Sequence, residues 1–244
     1  MSSELIAVLA LALAIVAFLY SSVGHAGASG YIAVMSLLSM SPAVIKPTGL
    51  VLNILVASIA SWQFVSAGNF QWRLFWPFAV FAFPASVVGG YVTLPTDLFK
   101  VLVGGVLLVS AIRFLSETSD ERPARPPSVP IGLVTGAALG LLAGLTGTGG
   151  GIFLTPLLLL MGWARAKVAA GVSAPFILLN SVGGLAGNLA STEQLPDFML
   201  PLAIAVVLGG SLGSHLGSRR FAPLTIKRLL AVVLLVAGAK LILV

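Results

Sequence analysis

The residues with chemical potential in this chain gather in two short stretches. In Gly144-Leu145-Thr146-Gly147-Thr148-Gly149-Gly150-Gly151, five of eight residues are glycine, set inside an otherwise apolar run. Glycine disfavours a continuous helix by about 1 kcal/mol per residue, so the helix is expected to break here. The break exposes backbone N–H groups, lets a ligand approach the main chain, and receives the positive dipole end of the helix that follows. That combination suits a small anion. A looser copy, Gly24-His25-Ala26-Gly27-Ala28-Ser29-Gly30, follows Ser22 near the start of the chain. The candidate substrate-binding set is therefore Ser22, Gly24, His25, Gly27, Ser29 and Gly30 from the first stretch, and Thr146, Gly147, Thr148, Gly149, Gly150 and Gly151 from the second. Asn53, Ser173 and Asn180 join them because a polar side chain inside an apolar helix costs free energy unless protein or ligand pairs it.

Each of these readings has a plainer rival. Small residues also allow close helix packing, and Ser or Thr hydroxyls in a turn can bond a nearby carbonyl. Asn53 and Asn180 could serve interhelical hydrogen bonds alone. Ser173 lies two turns before Asn180 and can share its face, whereas Ser58 and Ser181 point away from the nearest asparagine. His25 is the ionisable group of the first break and could relay a proton or donate to an anion, against a neutral imidazole satisfied by backbone. His215, beside Arg219 and Arg220, reads as interfacial. Lys46 could steer anions or simply snorkel to the headgroups.

Several function classes are disfavoured. Cysteine is absent, which removes disulfides, thiolate catalysis and Cys-ligated metals. The seven acids all fall in expected loops or segment ends, so paired carboxylates, a Ser-His-Asp set and a His-rich metal cluster are missing from membrane depth. No enzyme activity, metal or cofactor is expected. The net charge of +6 reflects loop lysines and arginines and not a nucleic-acid groove.

The elements that must position the candidates are membrane helices. The 244 residues are 58% hydrophobic and 8% charged, where a soluble domain carries about 25% charged residues. Apolar runs predict helices over residues 5–23, 29–41, 48–65, 74–94 and 99–115, and again over 130–145, 151–161, 168–190, 198–216 and 229–244. The first is read as a structural helix, since it has no basic region before it. Segments 29–41 and 151–161 are short for about 30 Å of hydrocarbon and are read as broken or re-entrant half-helices at the glycine-rich stretches. Between the halves lies a connector with three prolines and three acids. The expected fold is thus an all-α polytopic membrane protein of two repeats of about five segments, residues 1–116 and 130–244, joined by residues 117–129. An odd number of crossings per half inverts one repeat relative to the other.

Charge placement agrees. With the connector in the cytoplasm, Arg73, Arg113, Arg122, Arg125, Arg165, Lys167, Arg219, Arg220, Lys227 and Arg228 fall inside and only Lys46, Lys100 and Lys240 outside. Both termini and the Glu193–Asp197 loop are then external. Trp62, Trp72, Trp76 and Trp163 lie near segment ends as interfacial anchors.

The glycine stretch running on through Ile152-Phe153-Leu154-Thr155-Pro156, the later Lys167-Val168-Ala169-Ala170-Gly171-Val172-Ser173, and the looser Ser22 to Tyr31 resemble the TauE/SafE family of sulfite and organosulfonate exporters. The resemblance covers nearly the whole chain. It implies a bacterial inner-membrane secondary transporter, often exporting, of a small anion such as sulfite, a sulfonate or a carboxylate. Its partners would be the anion, the bilayer and a coupling proton or ion, with the oligomeric state left open. The two stretches differ, His25 and Ser29 having no equivalents in the second, so the halves would not offer identical contacts. A passive anion channel or a non-transporting membrane subunit are the alternatives.

Overall fold

The computed structural model describes residues 3–38, 40, 42–92, 124–189 and 195–222, together with positions 108, 111, 112, 224, 225, 228, 229, 231, 232, 235 and 239. Apart from these positions, the helices expected over 99–115 and 229–244 lie outside the described residues, as do Lys100, Arg113, Arg122, Glu193, Lys227 and Lys240. The described elements are α1 (Ser3–Ser22), α2 (Ala28–Leu37), α3 (Pro42–Ser66), α4 (Trp72–Tyr91), α5 (Val129–Thr146), α6 (Gly151–Leu160), α7 (Ala166–Leu189) and α8 (Met199–His215), the last extended by a π turn, Leu216–Arg220. Six of these are long and apolar enough to cross a membrane, and α6 is a shorter apolar helix. Large apolar side chains such as Leu11, Val134 and Leu200 are 65%, 72% and 69% exposed, the arrangement of a bundle whose solvent is lipid. Trp62 and Trp72 are also exposed, in keeping with anchoring. The chain is an all-helical polytopic membrane protein.

Glycine spacing determines how the helices pair. On α5, Gly132, Gly136, Gly140 and Gly144 recur every four residues and so share one face. A Cβ on Gly136, Gly140 or Gly144 would overlap the carbonyls of Phe78, Ala82 or Ser86 on α4. Both sets of numbers rise together, so α4 and α5 run parallel in backbone contact. Gly209, Gly213 and Gly217 meet the carbonyls of Ala14, Phe18 and Ser22 in the same way, making α8 parallel to α1. Val56 and Gln63 of α3 meet Gly210 and Ser214, and Phe83 and Val87 of α4 meet Gly183 and Gly187 of α7, which adds α3 to the first set and α7 to the second. Between the sets, Leu50 faces Gly184 and Asn53 faces Ser181, an antiparallel crossing of α3 on α7. Helices α1, α3 and α8 therefore run one way and α4, α5 and α7 the other. Corresponding helices of the two halves, α1 and α5, α3 and α7, α4 and α8, are antiparallel, which is the relation of inverted repeats.

The short segments cross by a broken path. Helix α5 ends at Gly147, whose φ of 70° forms a left-handed cap with its N–H on Ala143 O at 2.9 Å. After α6 the chain is back beside the start of α5, where Arg125 N–H donates to Gly162 O at 3.0 Å. Ten residues of helix supply about 15 Å of that return. Residues 147–150, three of them with left-handed φ, turn the chain back so that Gly150 packs beside Ala143 and Leu139, and this turn supplies part of the remaining ~12 Å needed to match the height of α5.

Candidate functional site

The two breaks meet at mid-height. Gly151, the first residue of α6, packs on Ile177, near the midpoint of α7, and the His25 ring approaches Gly151 from the first break. Asn53, midway along α3, ties the breaks together. Its Oδ1 accepts from Ala28 N–H at 3.1 Å, satisfying an orphan donor at the start of α2, and its Nδ2 donates to Ser181 Oγ at 2.8 Å. Gly149 of the second break sits over that pair, since a Cβ there would lie 2.5 Å from Asn53 Nδ2 and 2.7 Å from Ser181 Oγ. With φ at 73°, position 149 disfavours any side chain on backbone grounds as well.

A second connection runs through His25. Its Nε2 lies 2.9 Å from Thr155 Oγ1 on α6, and Thr155 donates to Ser173 Oγ on α7 at 2.7 Å. Thr155 has one proton and gives it to Ser173, so the imidazole must be the donor in the first bond, with its proton on Nε2. Nδ1 then carries a lone pair, and it has no hydrogen-bond partner among the described residues. His25, Thr155 and Ser173 are at most 2% exposed, and Asn53 and Ser181 are fully buried. Five polar side chains and two helix N-termini thus occupy the middle of an apolar bundle.

The structure divides the candidates. His25, Asn53, Ser173, Gly149 and Gly151 come together. Gly24 packs on Ala170 at the start of α7, and Gly147 on Lys46 and Leu50 at the start of α3, so each break leans on the long helix of the other half. Gly27 lies against the Tyr31 ring and Gly150 against Ala143 and Phe176. Four hydroxyls are engaged locally: Ser22 donates to Leu19 O, Ser29 to Tyr20 OH, and Thr146 to Leu142 O while pairing with Thr148 at 2.8 Å. Gly30 faces Val16 of α1. Asn180 donates to Phe176 O in its own helix, and its buried Oδ1 has no partner among the described residues. Thr155 and Ser181 belong to the cluster but carry no sequence signal of it. Ser181 does point away from Asn180, and its partner is the asparagine of the other half.

A bundle of broken and unbroken apolar helices around a buried polar cluster defines the class as an all-helical polytopic membrane protein. The model of the family described as sulfite exporter TauE/SafE matches residues 9–241. The chain is 42% identical over 240 residues to the "probable membrane transporter protein y4hK" of Sinorhizobium fredii, covering 96% of this chain and 97% of that one. It is 26% identical over 186 residues to a "probable membrane transporter protein" of Methanocaldococcus jannaschii, covering 70% and 68%. With the "probable membrane transporter protein YjnA" of Bacillus subtilis the figures are 28% over 159 residues, 60% and 61%. No solved structure matches the chain significantly. The protein belongs to the TauE/SafE family, and family and relatives alike place it among membrane transporters.

Proposed function

We propose that the protein is a secondary transporter that exports a small anion, sulfite or an organosulfonate or carboxylate, across a bacterial cytoplasmic membrane. The halves 1–116 and 130–244, joined by residues 117–129, alternate access to a site where the anion is held at the two breaks. One observation carries this reading: the N-termini of α2 and α6 converge at mid-height on the buried cluster of His25, Asn53, Thr155, Ser173 and Ser181. Half-helix N-termini offer partial positive charge to an anion, and the surrounding hydroxyl, amide and imidazole groups offer donors. The sulfur chemistry comes from the family description and the carboxylate from the negative charge and acceptor oxygens that it shares with a sulfonate. Because both breaks contact the long helix of the opposite half, a relative movement of the halves would open one side of the cluster while closing the other.

Reconstituted protein tests the reading. Loaded proteoliposomes are expected to show saturable sulfite or methanesulfonate flux with counterflow. An ohmic current without counterflow would replace the carrier by a passive channel, and neither signal would leave a non-transporting subunit.

A further inference from the structure

A lysine at the mouth of the second break has no carboxylate to pair with in the helices around it. Lys46 lies within the membrane span Val44–Ser66 and is half-buried. The stem lies against the second break, its Cγ 3.1 Å from where a Cβ on Gly147 would sit, and Nζ donates to Gly90 O near the end of α4 at 3.4 Å, a long bond. Helices α2 to α8 contain no Asp or Glu. Glu4 opens α1, and among the described residues no ion pair joins it to Lys46. An ammonium held between protein elements at a membrane helix end is costly unless an opposite charge neutralises it.

Its position along α3 gives the lysine a direction. Residues 46, 50 and 53 share one face of the helix, and the second break runs down that face, Gly147 against Lys46 and Leu50, Gly149 against Asn53. Seven residues separate Lys46 from Asn53, about 10 Å of helix. This face of α3, covered by the second break, therefore connects the ammonium to the central cluster.

We propose that Lys46 is an anion-binding residue: its ammonium, at the mouth of the second break, is the counter-charge for the translocated oxyanion on its way to or from the His25 and Asn53 centre. The assignment rests on the anion-transport reading above and adds to it the group that selects for negative charge. It also accounts for a cation where helices α2 to α8 supply no acid. The alternative partner is Asp97, seven residues beyond Gly90 and outside the described residues.

The test uses the full chain in detergent and in proteoliposomes, as parent, K46M, K46Q, K46R and D97N, with sodium sulfite, methanesulfonate and acetate titrated separately at constant chloride. Ligand-dependent thermal shift and initial flux are read together. K46M and K46Q are expected to weaken the apparent affinity about tenfold or more for the anion that the parent binds, with K46R within about threefold of the parent and D97N unchanged. K46Q keeps a polar side chain in case K46M does not purify as one species. Unchanged anion affinity in K46M or K46Q, while the parent saturates, overturns the role of Lys46 and leaves the transport reading standing. The role is equally overturned if D97N and the Lys46 variants lose thermal stability alike without a change in affinity, since Lys46 is then a structural ion-pair partner. A parent that neither binds nor moves any of the three anions overturns the transport reading and this inference with it.

Discussion

Asn53 spends both ends of its amide on different elements, accepting from Ala28 N–H and donating to Ser181 Oγ. Replacing it with leucine would leave a buried N–H and a buried hydroxyl unpaired, at about 1–3 kcal/mol each. Asn53→Leu should therefore lower the thermal midpoint clearly. Ser181→Ala should cost less, and the double variant should be less damaged than the sum, because the hydroxyl that Asn53→Leu strands is gone; a strictly additive double-mutant cycle would contradict the pairing. His25 makes a different prediction. With its proton on Nε2 toward Thr155 and a lone pair on Nδ1, it can take up a proton without breaking the chain to Ser173. Tyr20 lies beside it, the two ring centroids 6.4 Å apart, and the Tyr31 hydroxyl donates to the carbonyl of the neighbouring Ala26. If the protonated form is the one that moves the anion, transport by the parent should fall as pH rises and the proton is lost. In His25→Gln that slope should flatten while anion affinity stays within a few-fold, as measured by initial rates in proteoliposomes. His25 and Asn53 were legible in the sequence because an imidazole or amide at membrane depth must be answered by something, whereas Ser173 was singled out for the face it shares with Asn180 and is paired instead with Thr155. Thr155 and Ser181 were not, since hydroxyls are common in apolar helices and need signal no distant partner, and their partners lie 130 and 128 residues away.

Among the elements, the glycine-dense stretches were readable as breaks because no helix tolerates that density. The broken return crossing was only half visible: segments too short for the bilayer can either re-enter or complete their crossing with extended chain, and only the contact of Arg125 with Gly162 distinguishes the two. Helix pairing was hidden for another reason. The glycines of α5 read as generic small residues until α4 is placed against them, and the choice of α4 is a tertiary matter. This pairing predicts a sharp contrast between two faces of one helix. Gly140→Leu places a side chain into the Ala82 backbone and must force α4 and α5 apart, so folded yield should collapse. Val134→Leu, at a position 72% exposed to lipid on the same helix, should purify with a midpoint within about 0.5 kcal/mol of the parent. Comparable behaviour of the two variants in size-exclusion profiles would refute backbone contact along that stripe.

At the scale of the whole molecule, helix directions and charge placement can be combined without reference to either break. Helices α4, α5 and α7 begin at the end of the bundle where α1, α3 and α8 finish. Arg73, Arg125, Arg165 and Lys167 stand at those beginnings, and Arg219 and Arg220 at the finish of α8, so six basic residues share one end. The opposite end holds Lys46, with Glu4 in the first turn of α1 and Asp197 just before α8. Cytoplasmic ends of membrane proteins collect Lys and Arg, so the six-residue end should face the cytoplasm and the amino terminus should be external. The absence of native cysteine makes the measurement direct. Arg125→Cys, ahead of α5, should react with a membrane-impermeant maleimide only after the cytoplasmic face is opened. Leu195→Cys, ahead of α8, and Ser3→Cys, opening α1, should both react in intact cells. Labelling of positions 125 and 195 from the same side would contradict the antiparallel relation of α5 and α8, and with it the inverted arrangement of the halves. Labelling from opposite sides but in the reverse sense would keep that arrangement and overturn only the orientation drawn from charge, placing Lys46 at the cytoplasmic mouth of the second break.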